Sequence, residues 1–228
     1  MGRRSMPTEP NLPAESCNNL LKNDPNAFPL LVAFDLDYTL WDLWIDMHIV
    51  PPLKRLGDLL NQLVDRRGQN LSFYPEVPLV LAELKRRRIH IAAASRTSAP
   101  QIAHEALSLL LLEGEEGGDH MKALSYFNTV CHFNQSVSTL SYSILIRSES
   151  SKLEIYPGSK LRHFREIHRK TGIPYSQMLF FDDEHRNFEV EALGVTMQLV
   201  PHTGTDRRLW GEGLAKWRKR RGIKIYKE

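Results

Sequence analysis

Residues 30–40 read Leu30-Leu31-Val32-Ala33-Phe34-Asp35-Leu36-Asp37-Tyr38-Thr39-Leu40, and this stretch decides the fold. Its first five residues form a short continuous apolar run, which suits a strand buried on both faces of a parallel sheet. The run stops at two aspartates. In extended backbone, residues two apart point to the same side, so Asp35 and Asp37 are expected to face one ligand volume beyond the strand end. Two carboxylates there repel unless a cation or a proton resolves the charge. A turn of solvated acids is the alternative, and the buried strand directly before the pair, with Thr39 after it, weighs against that.

Similar runs recur at Ile89–Ala94, Met178–Phe181 and Val195–Leu199. Helical patterns lie between them. Glu76–Arg88 carries Val77, Val80, Leu81 and Leu84 on one face, with Pro75 just ahead. Pro100–Leu112 and Ser159–Lys170 read as further helices, the latter stopped by Gly172. Asp206–Arg221 reads as a final helix. Strands alternating with helices predict an α/β, Rossmann-like parallel sheet flanked by helices, with ligands bound at the carboxyl ends of the strands.

Two stretches break the rhythm. Ile45–Tyr74 contains Pro51-Pro52 and Asp65-Arg66-Arg67-Gly68, and reads as a helix or loop followed by a β-hairpin flap. Residues 113–151 open with glycines among acids. Between Phe127 and Ile146 there is no Asp, Glu, Lys or Arg, so a long insert without helical or strand periodicity is expected. Residues 1–28, rich in Pro and Asn, read as a disordered tail that leaves a single domain over 29–228. There are no internal repeats.

The whole chain has 228 residues, 42% hydrophobic and 25% charged, enough for a sizeable core without staples. No run of ~18 apolar residues predicts a membrane span, and no apolar stretch near the N-terminus reads as a secretory signal. Two cysteines far apart, Cys17 and Cys131, argue against a disulfide framework and make a reducing compartment the default expectation. A net charge of +3 is too mild to mark a nucleic-acid binder.

Three further segments carry chemistry. Ala93-Ala94-Ser95-Arg96-Thr97-Ser98 ends the second strand: Ser95 reads as a phosphate donor, or Ser95, Thr97 or Ser98 as a helix N-cap, and Arg96 adds a forked cation. In Tyr156-Pro157-Gly158-Ser159-Lys160, a lysine in the first helical turn is unfavourable for the dipole. Either Lys160 is a surface side chain beside a cap, or something anionic offsets it. Phe180-Phe181-Asp182-Asp183-Glu184-His185-Arg186-Asn187 again sets acids at a strand end, where hard oxygen ligands suit Mg²⁺.

In that order, Asp35-Leu-Asp37-Tyr-Thr39, Ser95, Lys160 and Asp182-Asp183 resemble the four motifs of the haloacid-dehalogenase-like (HAD-like) phosphatase superfamily. The strings FDLDYTLW, DRRGQN, YPEVP, AAASRTS, EIYPGSK and FFDDEHRN resemble its capless magnesium-dependent phosphatase 1 family. The resemblance spans about residues 30–112 and 152–205.

The resemblance implies that Asp35 is a nucleophile forming an aspartyl-phosphate, and that Asp37 is the general acid and then the base. It implies Mg²⁺ held by Asp35, the main-chain carbonyl of Asp37 and Asp183. Asp182, Thr39 and Asn187 would support the site. Leu36, Ser95, Arg96 and Lys160 would lie at the phosphate, the last three holding phosphoryl oxygens and Lys160 also keeping Asp35 ionised. Trp44 is expected beside the opening as a wall for a sugar or phosphotyrosine ring. Trp41 reads as wall or core with equal weight, His48 as structural, and Arg66 and Arg67 as a solvated hairpin tip.

The implied substrates are phosphorylated sugars, fructosamine phosphates among them, or phosphotyrosine, taken as a small phosphorylated molecule or a phosphoprotein by a monomer in the cytoplasm, with the nucleus a further option. The basic run Lys216–Arg221 reads as helix-end cations or as a nuclear address or polyanion patch. The patch reading would favour nucleic-acid ends or a phosphoprotein tail. A non-catalytic phosphate-binding adaptor is the other class. The insert departs from the family pattern. It reads as a surface loop or as translated intron sequence, and its position ahead of Lys160 puts that motif's placement at risk.

Overall fold

The computed structural model describes residues 27–114, 119–127 and 153–223. Five short strands, β1 (Leu31–Phe34), β5 (His90–Ser95), β8 (Leu153–Ile155), β9 (Met178–Asp182) and β10 (Thr196–Leu199), form one parallel sheet in the order β10-β9-β1-β5-β8. The apolar run at residues 30–34 therefore lies in the middle, where every residue of β1 is buried. Strand alternation splits its side chains between two cores. Val32 and Phe34 join Ile91, Ala93, Leu179 and Phe181 on one face, while Leu31 and Ala33 join Ala92, Ala94, Met178 and Phe180 on the other.

The first face is covered by α2 (Val77–Arg86), α3 (Pro100–Leu109) and α6 (Arg207–Arg220), and the second by α5 (Lys160–Thr171) and the 3-10 helix His185–Leu193. In α2 the buried residues are Val77, Val80, Leu81 and Leu84, as the period of the sequence predicts. Helix α5 starts at an N-cap, where Ser159 Oγ accepts from Leu161 N–H at 3.1 Å. It stops at Gly172, whose φ of 68° suits a left-handed C-cap.

Several expectations needed correction. Helix α3 ends at Leu109 rather than Leu112. Leu111–Leu112 (β6) instead pairs antiparallel with Met121–Lys122 (β7), and Leu111 N–H bonds to Leu60 O at 2.9 Å. Those ladder partners lie outside any helical window, so period alone extends the helix too far. The stretch before α2 holds a four-residue helix, α1 (Ile45–His48), and three strands rather than one hairpin. Strands β2 (Lys54–Arg55), β3 (Leu63–Val64) and β4 (Asn70–Leu71) pair antiparallel. The Asp65 carboxylate organises this flap by accepting from the backbone N–H of Val50, Arg67 and Gln69. Ala27 is buried and Phe28 lies under the guanidiniums of Arg87 and Arg218, so the packed chain already includes residues ahead of 29.

Of the segment expected as an insert, residues 119–127 contain β7 and α4 (Leu124–Phe127), with Tyr126 and Phe127 buried. The charge-free stretch from 128 onward lies outside the described residues, as does the N-terminal stretch before Ala27. Where the chain is described again, β8 pairs in register with β5 at the sheet edge, Ser95 opposite Ile155. Lys160 is thus placed normally. Arg66 and Arg67 are exposed at the flap turn. The basic end of α6 is engaged within the chain: Lys216 and Arg220 pair with Glu191, and Arg218 donates to Ala27 O. Among the described residues, no helix is long and apolar enough to cross a membrane.

Candidate active site

Because all five strands run in parallel, the chain leaves β1, β5 and β9 on the same edge of the sheet, and their motifs converge there. A cavity of about 300 Å³ opens on that edge. It is lined by Asp35, Asp37 and Trp44, by Ser95 and Arg96, and by Asp183. Asp46, Thr97, Glu184 and Arg186 complete the lining. The sequence points to Thr97 only as a candidate N-cap and does not single out Asp46, Glu184 or Arg186; polar residues on irregular segments give no periodic signal.

The turn after β1 is tight. Leu36 O accepts from the N–H groups of Thr39, Leu40 and Trp41, and Tyr38 takes a positive φ of 52°. This fold-back sends Asp35 and Asp37 into the cavity while the Leu36 side chain enters the core, fully buried. Leu36 therefore offers the cavity no side chain, contrary to the substrate-contact expectation, because the side-chain alternation that exposes its neighbours points it inward. Thr39 is also fully buried and stays outside the lining. Trp41 is core, but its indole is not idle: Nε1 donates to Asp37 Oδ1 at 2.7 Å. Trp44 is 52% exposed, edge-on to Tyr38 and stacked on His48.

Lys160 lies behind Asp35 with no exposed surface. Its Nζ is 2.9 Å from Asp35 Oδ1 and 2.9 Å from Asp182 Oδ2, and it donates to Ala94 O. Two ion pairs and one hydrogen bond therefore surround the ammonium. The resemblance implies that Lys160 both holds phosphoryl oxygens and serves Asp35; the structure has the ion pair to Asp35, adds one to Asp182, and leaves Lys160 out of the cavity lining. Burial alone would depress its pKa, but the charges of Asp35 and Asp182 outweigh this and raise it. Arg96 faces the cavity while pairing with Glu189 at 3.1 Å. The same Glu189 oxygen accepts from Ser159 Oγ and Lys160 N–H, so one carboxylate caps α5 and ties it to Arg96. Ser95 Oγ accepts from Thr97 N–H at 3.3 Å, leaving its own hydrogen to donate.

Asp182 and Asp183 part company at the end of β9. Asp182 is fully buried, with Oδ1 accepting from Glu184 N–H and Asn187 Nδ2 and Oδ2 held by Lys160. Asp183 lines the cavity. Burial and the charges of Asp35 and Asp182 push its carboxyl up to about 7. Burial likewise lifts Asp37 to about 7, against the opposing pull of the Trp41 hydrogen bond.

A metal fits this donor set. Asp35, Asp182 and Asp183 bring one carboxylate oxygen each within 4.8 Å of one another. Three acids against one lysine leave negative charge that only protons or a cation can offset, and all-oxygen donors suit a hard cation such as Mg²⁺. The Asp37 side chain is not part of this cluster; its carboxyl turns to Trp41 and to Ile45 N–H.

A family model described as acid phosphatase matches residues 27–220. The chain belongs to this family. That makes it a HAD-like phosphoric monoester hydrolase by descent. A HAD-like hydrolase superfamily protein of Schizosaccharomyces pombe is 40% identical over 74% of this chain and 84% of its own. Magnesium-dependent phosphatase 1 of Homo sapiens is 39% identical over 84% of this chain and 88% of its own. A solved structure of the N-terminal part of a Bacteroides fragilis protein, containing a phosphatase domain complexed with Mg, is a distant likeness. It is 20% identical with a TM-score of 0.46, over 82% of this chain and 40% of that one.

Proposed function

We propose that this chain is a Mg²⁺-dependent phosphomonoesterase working through an aspartyl-phosphate on Asp35. The observation that carries the proposal is the unequal surroundings of two carboxyls in one cavity. Asp35 is ion-paired to Lys160, whereas burial raises Asp37 to about 7. Environments that differ in this way assign different roles to chemically equal groups.

The Asp35 carboxylate attacks phosphorus, forming the bond to its own oxygen as the bond to the leaving oxygen breaks. Asp37 gives its proton to that leaving oxygen. A water then attacks the phosphoryl group, Asp37 takes the water's proton, and the bond from Asp35 to phosphorus breaks to release inorganic phosphate. Ser95 Oγ and the Arg96 guanidinium donate to the phosphoryl oxygens and hold them in line. Lys160 holds the Asp35 carboxylate in place through their ion pair. Mg²⁺, held by Asp35 and Asp183 with Asp182 behind them and, on the family pattern, by the main-chain carbonyl of Asp37, supplies charge neutralisation at the phosphoryl group.

The substrate is a phosphorylated sugar, a fructosamine phosphate included, or phosphotyrosine, presented as a small molecule or on a protein. The half-exposed Trp44 at the opening supports a ring-bearing leaving group. A nucleic-acid substrate has less support, since several cations of the basic C-terminal run are engaged within the chain.

The test is hydrolysis of p-nitrophenyl phosphate with Mg²⁺ and with EDTA, wild type beside Asp35→Asn. Turnover lost in EDTA and in the variant is expected. A folded variant that still turns over at the wild-type rate would remove Asp35 as nucleophile.

A further inference from the structure

Asp37 Oδ1 receives two hydrogen bonds, from Trp41 Nε1 at 2.7 Å and from Ile45 N–H at 3.2 Å. Both donors are nitrogen-bound hydrogens, so Oδ1 serves as an acceptor twice over. An oxygen in that position has no room for a proton of its own. The second oxygen, Oδ2, is the one left to the cavity that Asp37 lines.

The indole is held firmly. Trp41 is completely buried and stacks on Phe73 with ring centroids 6.1 Å apart and planes 18° from parallel. Its backbone bridges to Phe73. Asn61 clamps Phe73 in turn, accepting from its N–H at 2.9 Å and donating to its carbonyl at 3.2 Å. The flap thus anchors the ring, and the tight turn after β1 brings Nε1 under the carboxyl. Ile45 N–H, at the start of α1, supplies the second donor from the other side of the turn.

We infer that Trp41 is a positioning residue for the proton-transfer step: its indole N–H pins Asp37 Oδ1 and so keeps the transferable proton on Oδ2, toward the leaving oxygen. This rests on the reading of Asp37 as the proton donor. Without the indole N–H, the carboxyl is free to turn, and the proton resides on either oxygen. Transfer then suffers most where the leaving oxygen depends on it, in an alkyl ester whose alkoxide is a poor leaving group. A nitrophenolate leaves with little help. A residue that merely packs the core would affect both esters alike.

The test uses the full-length chain in Mg²⁺ and reads kcat/KM, which reports the steps through cleavage of the ester bond. Wild type, Trp41→Phe and Asp37→Asn are compared on glycerol phosphate and p-nitrophenyl phosphate. Phenylalanine retains a ring against Phe73 and lacks only the donor and part of the bulk. For Trp41→Phe the alkyl ester is expected to lose about ten- to a hundredfold, up to the low end of the roughly 10²–10⁴-fold that a general acid contributes, and the aryl ester several-fold less. Equal losses on the two esters, or no loss on either, overturn the inference. If Asp37→Asn shows no preference for the aryl ester, the proton-donor reading itself falls and this inference with it, whatever Trp41→Phe does. Should Trp41→Phe fail to fold, benzothienylalanine placed at position 41 keeps the indole outline without the N–H, and the same comparison decides.

Discussion

Lys160 Nζ lies 2.9 Å from Asp35 Oδ1, joining the first residue of α5 to the first residue after β1. The pair is buried, so its attraction is little screened, but each charge has lost its water. What makes it tolerable is the number of partners. Asp182 adds a second ion pair and Ala94 O a hydrogen bond, and the net surroundings hold Lys160 charged. The lysine that looks misplaced at a helix N-terminus is offset by carboxylates on two neighbouring strands.

Removing that cation leaves two buried acids uncompensated. Lys160→Met is expected to destabilise the fold by about 3–5 kcal/mol, as when one partner of a buried pair is deleted. Guanidinium denaturation midpoints check this. A loss under about 1 kcal/mol, the range of exposed pairs, would mean the pair is not isolated from water.

The raised acids set a pH dependence. Asp37 and Asp183 are lifted to about 7 and Asp182 to about 6, from 3.8. A raised carboxyl binds its proton more tightly in the folded state than in the unfolded one. The stabilisation is therefore complete below about pH 3.8 and is lost as pH rises through about 6 to 7. Acid denaturation from other groups is superimposed at the low end. In the absence of divalent ions, thermal melts should drop as pH rises from about 5 to about 7.5. Mg²⁺ should raise the melting temperature more at the higher pH, where its ligands must otherwise be ionised without it. Equal increments at both pH values would contradict the assignment of these acids to the ion.

Trp44 exposes half its surface at the cavity mouth, so little stability depends on it. Trp44→Ala should change stability by within about 0.5 kcal/mol. Its effect should fall on binding: KM for p-nitrophenyl phosphate should rise roughly three- to tenfold, the equivalent of one lost aromatic contact, with a smaller change for glycerol phosphate. Unchanged KM for both would remove Trp44 from the recognition surface.

Gly204 has φ +77°, and a Cβ there would fall within the Tyr74 ring. That ring is tethered by its hydroxyl, which donates to Asp42 Oδ1 at 3.0 Å and lies 3.3 Å from His202 O. Gly204→Ala should cost about 1–3 kcal/mol through overpacking, with further backbone strain. Adding Tyr74→Ala should recover part of the loss, and a double-mutant cycle measures the coupling. Strict additivity would show that the ring simply swings away.

The features legible in the sequence were those that the chain expresses locally. An apolar run ending in Asp-x-Asp reads as a buried strand with paired acids because period and composition are properties of neighbouring residues. The same holds for the buried face of α2, the Ser159 and Gly172 ends of α5, and the acids after β9. Resemblance added the order of the motifs, and the family match agrees with it.

Pairings across the sheet were decided only by the tertiary structure. Placing β1 between β5 and β9 brings Asp35, Ala94 and Asp182 around one ammonium, which adds Asp182 and a main-chain carbonyl to the Asp35 partner that the resemblance implies for Lys160. The same convergence distinguishes Asp182, buried and held by Lys160, Glu184 and Asn187, from Asp183, which faces the cavity. It shows Trp41 to be both core and a donor to Asp37, and it ends α3 early, where Leu111 and Leu112 find strand partners. Composition and period describe what each segment prefers by itself. Which donor meets which acceptor depends on the order of strands and the packing of segments distant in the chain, and no local pattern carries that information.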